Sequence, residues 1–328
     1  MESMKFIAFI RRPIVIANIL FVIALGFFFQ RFGEFSRFLE LVSDLDLKWV
    51  IVAIGLQVLT YFCNGAMWTT TLTRFGHRIP HHLVATMSVM KLFIDQMIPS
   101  FGMSGDLAIV RRLLGKGVQK GEAATVLIIN LFTRYASYVV LFEIAVILLW
   151  AGNYLNTSIE MLAGVFSVFV AGACCGIYFI LRKAHKGHVP HWITKKKFLM
   201  PFLEALAEAR GNEFKYPSLW MKVSILQAAI FILDILTLQV LIAALGHPIN
   251  FIFAFISFML ASAVATLSII PAGIGAFEGT AVAMLVLFGV PFDVSVAATL
   301  LLRGFAYWIP MIPGGILFWQ EMKLPQGK

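Results

Sequence analysis

A chain of 328 residues that is 60% hydrophobic and 13% charged, with a mean hydropathy of +0.89, lies far from the even mix of a soluble domain and reads as a polytopic membrane protein. The net charge of +9 would suit nucleic acid, but the basic residues follow the loops rather than one folded face, which excludes that partner. Cys63, Cys174 and Cys175 all fall inside apolar stretches, where neither a disulfide framework nor a zinc set is plausible, so they read as packing residues.

Crossing a hydrocarbon core takes about 20 apolar residues. Stretches of that length lie near 13–30, 48–73, 122–151, 159–181, 223–245 and 294–319, predicting six full crossings. The first follows Arg11-Arg12, like the charged start of a signal peptide, but no small-residue cleavage site follows Phe27-Phe28-Phe29, so it reads as a retained helix. Two shorter stretches, about 83–98 and 251–270, stop at Pro99 and Pro271 and look like half-crossings.

Those two prolines open a repeated motif. PSFGMSGD from Pro99 and PAGIGAFE from Pro271 each run through glycines to an acid, Asp106 and Glu278. Gly117-Val118 and Gly289-Val290 follow eleven residues beyond, so the copies are in register 172 residues apart. Ala123-Ala124-Thr125 and Ala297-Ala298-Thr299 come next, with the spacing slipped by two residues. Such agreement predicts a duplicated unit, and matched hydrophobic segments broken by Gly and Pro point to a transport site.

Charge sets the topology. With a cytoplasmic N-terminus, twenty of the 26 Lys and Arg fall in the cytoplasmic segments 1–12, 74–82, 111–121, 182–222 and 320–328, as the positive-inside rule requires. Arg111, Arg112, Lys116 and Lys120 surround the first Gly-Val, whereas no basic residue flanks the second. The first hairpin, about 83–115, should therefore open to the cytoplasm and the second, about 251–289, to the outside. The expected fold is all-α: six crossings plus two re-entrant helical hairpins in two inverted repeats, 1–151 and 152–328, with both termini cytoplasmic in the cell inner membrane. The loop 182–222 carries nine basic residues and a stretch with Leu199, Phe202, Leu203 and Leu206 on one face, which predicts a helix on the membrane surface.

Backbone that leaves a helix at membrane depth must face protein or water. Pro99 and Pro271 end the incoming helices, while Gly102, Gly105, Gly273 and Gly275 allow a tight turn and close approach. Outgoing helices are expected at about 107–115 and 279–288, their N-termini meeting near the bilayer centre. Asp106 and Glu278 stand at those starts, where a carboxylate either caps the helix or exchanges a proton or cation. Capping is the expectation for Asp106, because Gly-Asp before a helix is a good N-cap sequence, and coupling for Glu278, a poorer cap with a longer reach.

Lys91, Arg134 and Arg303 fall within the membrane by this topology. Arg134 and Arg303 need a carboxylate or an anionic ligand, and a guanidinium suits phosphate by donating two parallel hydrogen bonds. Headgroup neutralisation and an internal ion pair, with Glu143, Asp234, Asp106 or Glu278, stand as alternatives. Lys91 and Asp95 are spaced to pair with each other. His185, His188 and His191 form a weak ligand set beside Pro190, and no metal or cofactor is expected. Gly172 and Gly176 form a GxxxG that would bring a helix close within the fold or between subunits, so a homo-oligomer stays open. No nucleophile elbow, Walker loop, HExxH or dinucleotide fingerprint is present.

Gly105-Asp106, Gly117-Val118, a span carrying Arg134, the GIGAFE stretch and the LLLRGFAYW around Arg303 together resemble the flippase-like lysylphosphatidylglycerol synthase transmembrane family, over nearly the whole chain. That family includes the flippase domain of the multiple peptide resistance factor and many stand-alone proteins. The resemblance implies movement of an anionic or aminoacylated phospholipid between leaflets. Family members often carry an Arg three residues after the first acid, where this chain has Ile109 and then Arg111-Arg112. The chain ends at Lys328 without the aminoacyl-transferase domain of the fused relatives, so it is not expected to be an enzyme. The expected function is therefore a lipid flippase-like transporter, with Asp106, Arg111, Arg112, Arg134, Glu278 and Arg303 as binding or gating residues and membrane lipids as partners. An ion-coupled transporter of a small amphipathic solute is the first alternative and a membrane enzyme of lipid or glycolipid synthesis the second.

Overall fold

The computed structural model describes residues 43, 45–97, 103–154, 160–161, 164–168, 172, 216–268 and 273–323. All ordered elements among them are helical: α1 Leu47–Thr73, α2 His81–Met97, α3 Met103–Gly115, α4 Lys120–Ala151, α5 Pro217–Ala244, α6 Phe251–Leu267, α7 Ala276–Leu287, α8 Phe292–Arg303, a π-helical turn Gly304–Trp308, and α9 Ile309–Lys323. Four of these spans are long and apolar enough to cross a membrane: Leu47–Thr73, Lys120–Ala151, Pro217–Ala244 and the continuous run Phe292–Gln320. The expected crossing at 13–30, most of that at 159–181, Cys174, Cys175, Gly176, the three loop histidines and the surface helix lie outside the described residues, as do Pro99, Gly102 and Pro271.

Local chemistry accounts for the boundaries. The Asp46 side chain accepts from Lys48 N at 3.0 Å and caps α1. Pro217 opens α5 at a position where its missing N–H would have no partner anyway. That helix therefore takes up residues 217–222, which the sequence reading assigned to the basic loop. Four helices close in one way. Gly76, Gly117, Gly246 and Gly289 have φ between 80 and 87°. The next residue of each turns its N–H back onto the helix: His77 to Leu72 O, Val118 to Leu113 O, His247 to Ile242 O and Val290 to Leu285 O, at 3.0–3.2 Å. This left-handed closure is available to glycine without a Cβ penalty, which explains the repeated Gly-Val and reveals a second repeated pair, Gly76-His77 and Gly246-His247.

The helices recur in order. Leu47, His81, Met103 and Lys120 open the first set and Pro217, Phe251, Ala276 and Phe292 the second, offsets of 170, 170, 173 and 172 residues. α1 and α5 lie antiparallel along their whole length: Asp46 N donates to Ala244 O at 3.4 Å, Gln57 meets Asp234, and the Arg74 guanidinium sits 3.9 Å above the Tyr216 ring. The long helix α4 packs against both halves. The first part of α4 packs with α2 and α3 through Ile109, Leu113, Val126 and Leu127, and its later part, Tyr138 to Leu149, joins a core with α5, α6 and α7. In the other half α8 packs on α5 and α7, while α9 reaches back to α2. There a Cβ on Gly314 would lie 2.6 Å from Val89 O, and Phe93 meets Phe318 with ring centroids 5.6 Å apart. Ile51, Val58, Phe62, Val140 and Ile147 stay exposed, an apolar exterior suited to lipid rather than water.

A candidate site built from two acid–arginine pairs

The outgoing helix α3 starts at Met103, three residues before Asp106 and four before the expected position. Asp106 therefore sits inside the first turn and is not the residue that precedes the helix, which overturns its assignment as an N-cap. The acid that receives a backbone N–H here is Asp95, on α2: its Oδ1 accepts from Gly105 N at 2.7 Å and from Ser104 Oγ at 3.2 Å. Gly105 makes this contact because α2 lies so close that a Cβ there would fall 2.5 Å from Lys91 O and 2.8 Å from Asp95 Cγ.

Asp106 is fully buried and faces two cations. Arg134 Nη2, from α4, donates to Oδ2 at 2.9 Å and to Oδ1 at 3.2 Å, and Lys91 Nζ stands 3.3 Å from Oδ1. Lys91 also pairs with Asp95 at 2.5 Å, as its spacing predicts. Two acids and two bases thus form one chain, Asp95–Lys91–Asp106–Arg134, with no net charge. A lone buried ion costs several kcal/mol, and pairing offsets that cost. Arg134 is partly open and, among the described residues, donates to Asp106 through Nη2 only. A guanidinium has five N–H donors, so donor capacity remains.

The second half repeats the pairing with one acid. Gly275 is left-handed, φ 83°, and α7 begins directly after it. Glu278, at the third position of that helix, reaches back so that Oε2 accepts from Gly275 N at 2.6 Å, while Oε1 meets Arg303 Nε at 2.8 Å. The cap expected of Asp106 is thus made by Glu278, where the sequence favours coupling. Gly273, φ 62°, gives the close approach expected of it, since a Cβ there would lie 2.5 Å from Ala265 Cβ. The Arg303 guanidinium lies over Phe277 at 4.3 Å and over Tyr307 at 4.9 Å, an aromatic setting that attracts a cation electrostatically.

Of the expected site residues, Asp106 joins Arg134 and Glu278 joins Arg303. Arg111 and Arg112 lie further along α3, exposed and half-buried respectively, beyond the Asp106 turn. Glu143 accepts from Ser167 Oγ at 2.7 Å, and Cys63 packs beside Met67 and Ile129. Two groupings escaped the sequence reading. His77 Nε2 lies 2.7 Å from Glu122 Oε2, tying the α1 end to the α4 start. Gln57 Nε2 donates to Asp234 Oδ1 and to Thr237 Oγ1, each at 3.0 Å. The second had a signal in the sequence, because Gln57 and Asn64 recur as Gln227 and Asp234 at the 170-residue offset of α1 and α5.

These features define a multi-pass, all-helical membrane protein with paired charges on short helices packed inside its core. The chain belongs to the family described as lysylphosphatidylglycerol synthase TM region, which it matches over residues 14–314. Among curated relatives it is similar to UPF0104 membrane protein PH1989 of Pyrococcus horikoshii, 22% identical over 88% of this chain and 92% of the relative. It is likewise similar to UPF0104 membrane protein MJ1595 of Methanocaldococcus jannaschii, 24% identical over 92% of each.

Proposed function

We propose that the protein moves a polar, phosphate-bearing lipid between leaflets, using two inverted repeats whose re-entrant hairpins, α2–α3 and α6–α7, face a shared cavity. The observation that carries this reading is the matched placement of the two ion pairs. In each half an acid on the first turn of the short helix holds an arginine from the long helix that follows, well inside an apolar core. An anionic headgroup would compete with Asp106 and Glu278 for Arg134 and Arg303, so that a phosphate and an internal carboxylate exchange places as each hairpin opens. The remaining donors of Arg134 and the bidentate geometry of guanidinium towards phosphate support that exchange. The lysylphosphatidylglycerol family membership supports an anionic or aminoacylated phospholipid as the substrate class. The reading assigns no chemical transformation to the chain and places it in the cell inner membrane.

The test is reconstitution. Vesicles containing the full chain should move a fluorescent anionic or aminoacylated phospholipid between leaflets faster than protein-free vesicles, and Arg303→Ala should slow that movement while the protein stays folded. Equal rates with and without protein, across several headgroups, would end the proposal.

A further inference from the structure

Asp234 lies near the middle of α5, a 28-residue apolar helix, and differs from the acids of the two hairpins in its surroundings. Asp95, Asp106 and Glu278 each face a Lys or Arg within 3.3 Å. Among the described residues Asp234 has no such cation; its hydrogen-bond partner is Gln57. That amide is already fully used on its donor side, one hydrogen going to Asp234 Oδ1 and the other to Thr237 Oγ1. Thr237 in turn gives its own hydrogen to Leu233 O at 2.8 Å and has none left for the carboxylate. One donor is a thin shell for a half-buried carboxylate on an apolar membrane helix, where an unpaired charge is costly.

Shape does not demand an acid at this place. The antiparallel register that sets Gln57 of α1 against Asp234 of α5 sets Asn64 of α1 against Gln227 of α5, since each pair is related to the other by the 170-residue repeat. One half of the molecule therefore uses a neutral amide where the other uses a carboxyl of the same size. The neighbouring titratable groups are the phenols of Tyr61, on the same face of α1 as Gln57, and Tyr307, on the π-helical turn. The Tyr61 hydroxyl donates to Ala306 O at 3.4 Å, and Tyr307 carries Arg303 of the second ion pair on its ring. Asp234 thus has one donor amide on it and two phenols nearby, and among the described residues no cluster of acids, histidines and cysteines gathers to hold a metal ion.

We infer that Asp234 is a proton-exchange site in the membrane interior, taking a proton from water on one side as its carboxylate becomes a carboxyl and releasing it when the bundle opens to the other. It lies on the helix pair α1–α5 and is separate from the Asp106 and Glu278 pairs. Proton exchange at this carboxyl does not depend on which substrate is carried.

The experiment is an infrared pH titration of the full chain in lipid nanodiscs, followed by transport of a fluorescent anionic phospholipid in vesicles under an imposed pH gradient. The wild type should show a carboxylic acid C=O band that comes and goes with pH. Asp234→Asn, which keeps size and the Gln57 contact, should lack it, and Asp234→Glu should show it displaced. Should the Asn variant fail to fold, the displaced band of the Glu variant still identifies the group. The gradient should change the transport rate of the wild type and leave that of Asp234→Asn unchanged. A band that survives unaltered in both variants, or a wild type with no titrating band, would overturn the inference. A wild type that titrates but moves no lipid would overturn the lipid proposal alone.

Discussion

Asp106 and Glu278 stand 172 residues apart in matching motifs, yet the two hairpins around them distribute the same duties differently. In the first, α2 presses so closely on α3 that the residue before the acid has to be Gly105, and Asp95 reaches across to hold the helix start. Asp106 is then left wholly to the cations Lys91 and Arg134. In the second, the residue before the acid is Phe277, and no acid arrives from α6. Glu278 has to bind both the backbone of Gly275 and the side chain of Arg303. One consequence is that three other charges gather at the fully buried carboxylate of the first hairpin, whereas the second carries one ion pair softened by aromatic rings.

This contrast predicts that the first hairpin tolerates loss of its acid less well. Asp106→Asn keeps the volume but leaves Arg134 with no carboxylate among the described residues and Lys91 with Asp95 alone. Breaking a buried pair from one side costs roughly 3–5 kcal/mol, and thermal unfolding of the purified protein in lipid nanodiscs should show a loss of that order. An Asn variant as stable as the wild type would show that the charge of Asp106 does not hold Arg134 and Lys91 in place. Glu278→Gln should cost less, because an amide oxygen still accepts from Gly275 N and the rings still hold the guanidinium. The same melts test the order: a Gln variant less stable than Asp106→Asn would reverse the comparison.

Much of this arrangement was readable from the chain. The starts of α1, α2, α4 and α6 fall within two residues of the sequence expectation, since apolar length, Pro and the Gly-Val pairs mark the ends of the helices. The pairing of each arginine with an acid was one of two stated alternatives, and the acids found are among those named. The cap falls on Glu278 rather than on Asp106 for a physical reason. Capping depends on which residue begins the helix, and α3 extends back to Met103 while α7 begins only at Ala276. A three-residue difference turns one acid inward and leaves the other at the end. The contribution of Asp95 to the α3 start was equally hidden, because it depends on how closely α2 approaches. Asp234 was named only as a counter-ion for arginine; that its partner is a glutamine follows from the α1–α5 register, which periodicity within either helix does not reveal.

The smallest effect isolates the aromatic part of the second hairpin. Phe277 corresponds by register to Gly105, so the space that α2 fills in the first half is filled here by a ring beneath Arg303. Phe277→Leu keeps most of the apolar volume and removes one face of the cation–π sandwich, while Tyr307 keeps the other. The expected cost is about 0.5–1 kcal/mol, and Phe277→Tyr should restore it. If the ring serves to hold Arg303 against Glu278, its loss in a double variant with Glu278→Gln should be non-additive, because residues that share one partner couple. Additive melting shifts for Phe277→Leu and Glu278→Gln would show that Phe277 only fills space, and the second hairpin would then differ from the first in packing but not in how it holds its arginine.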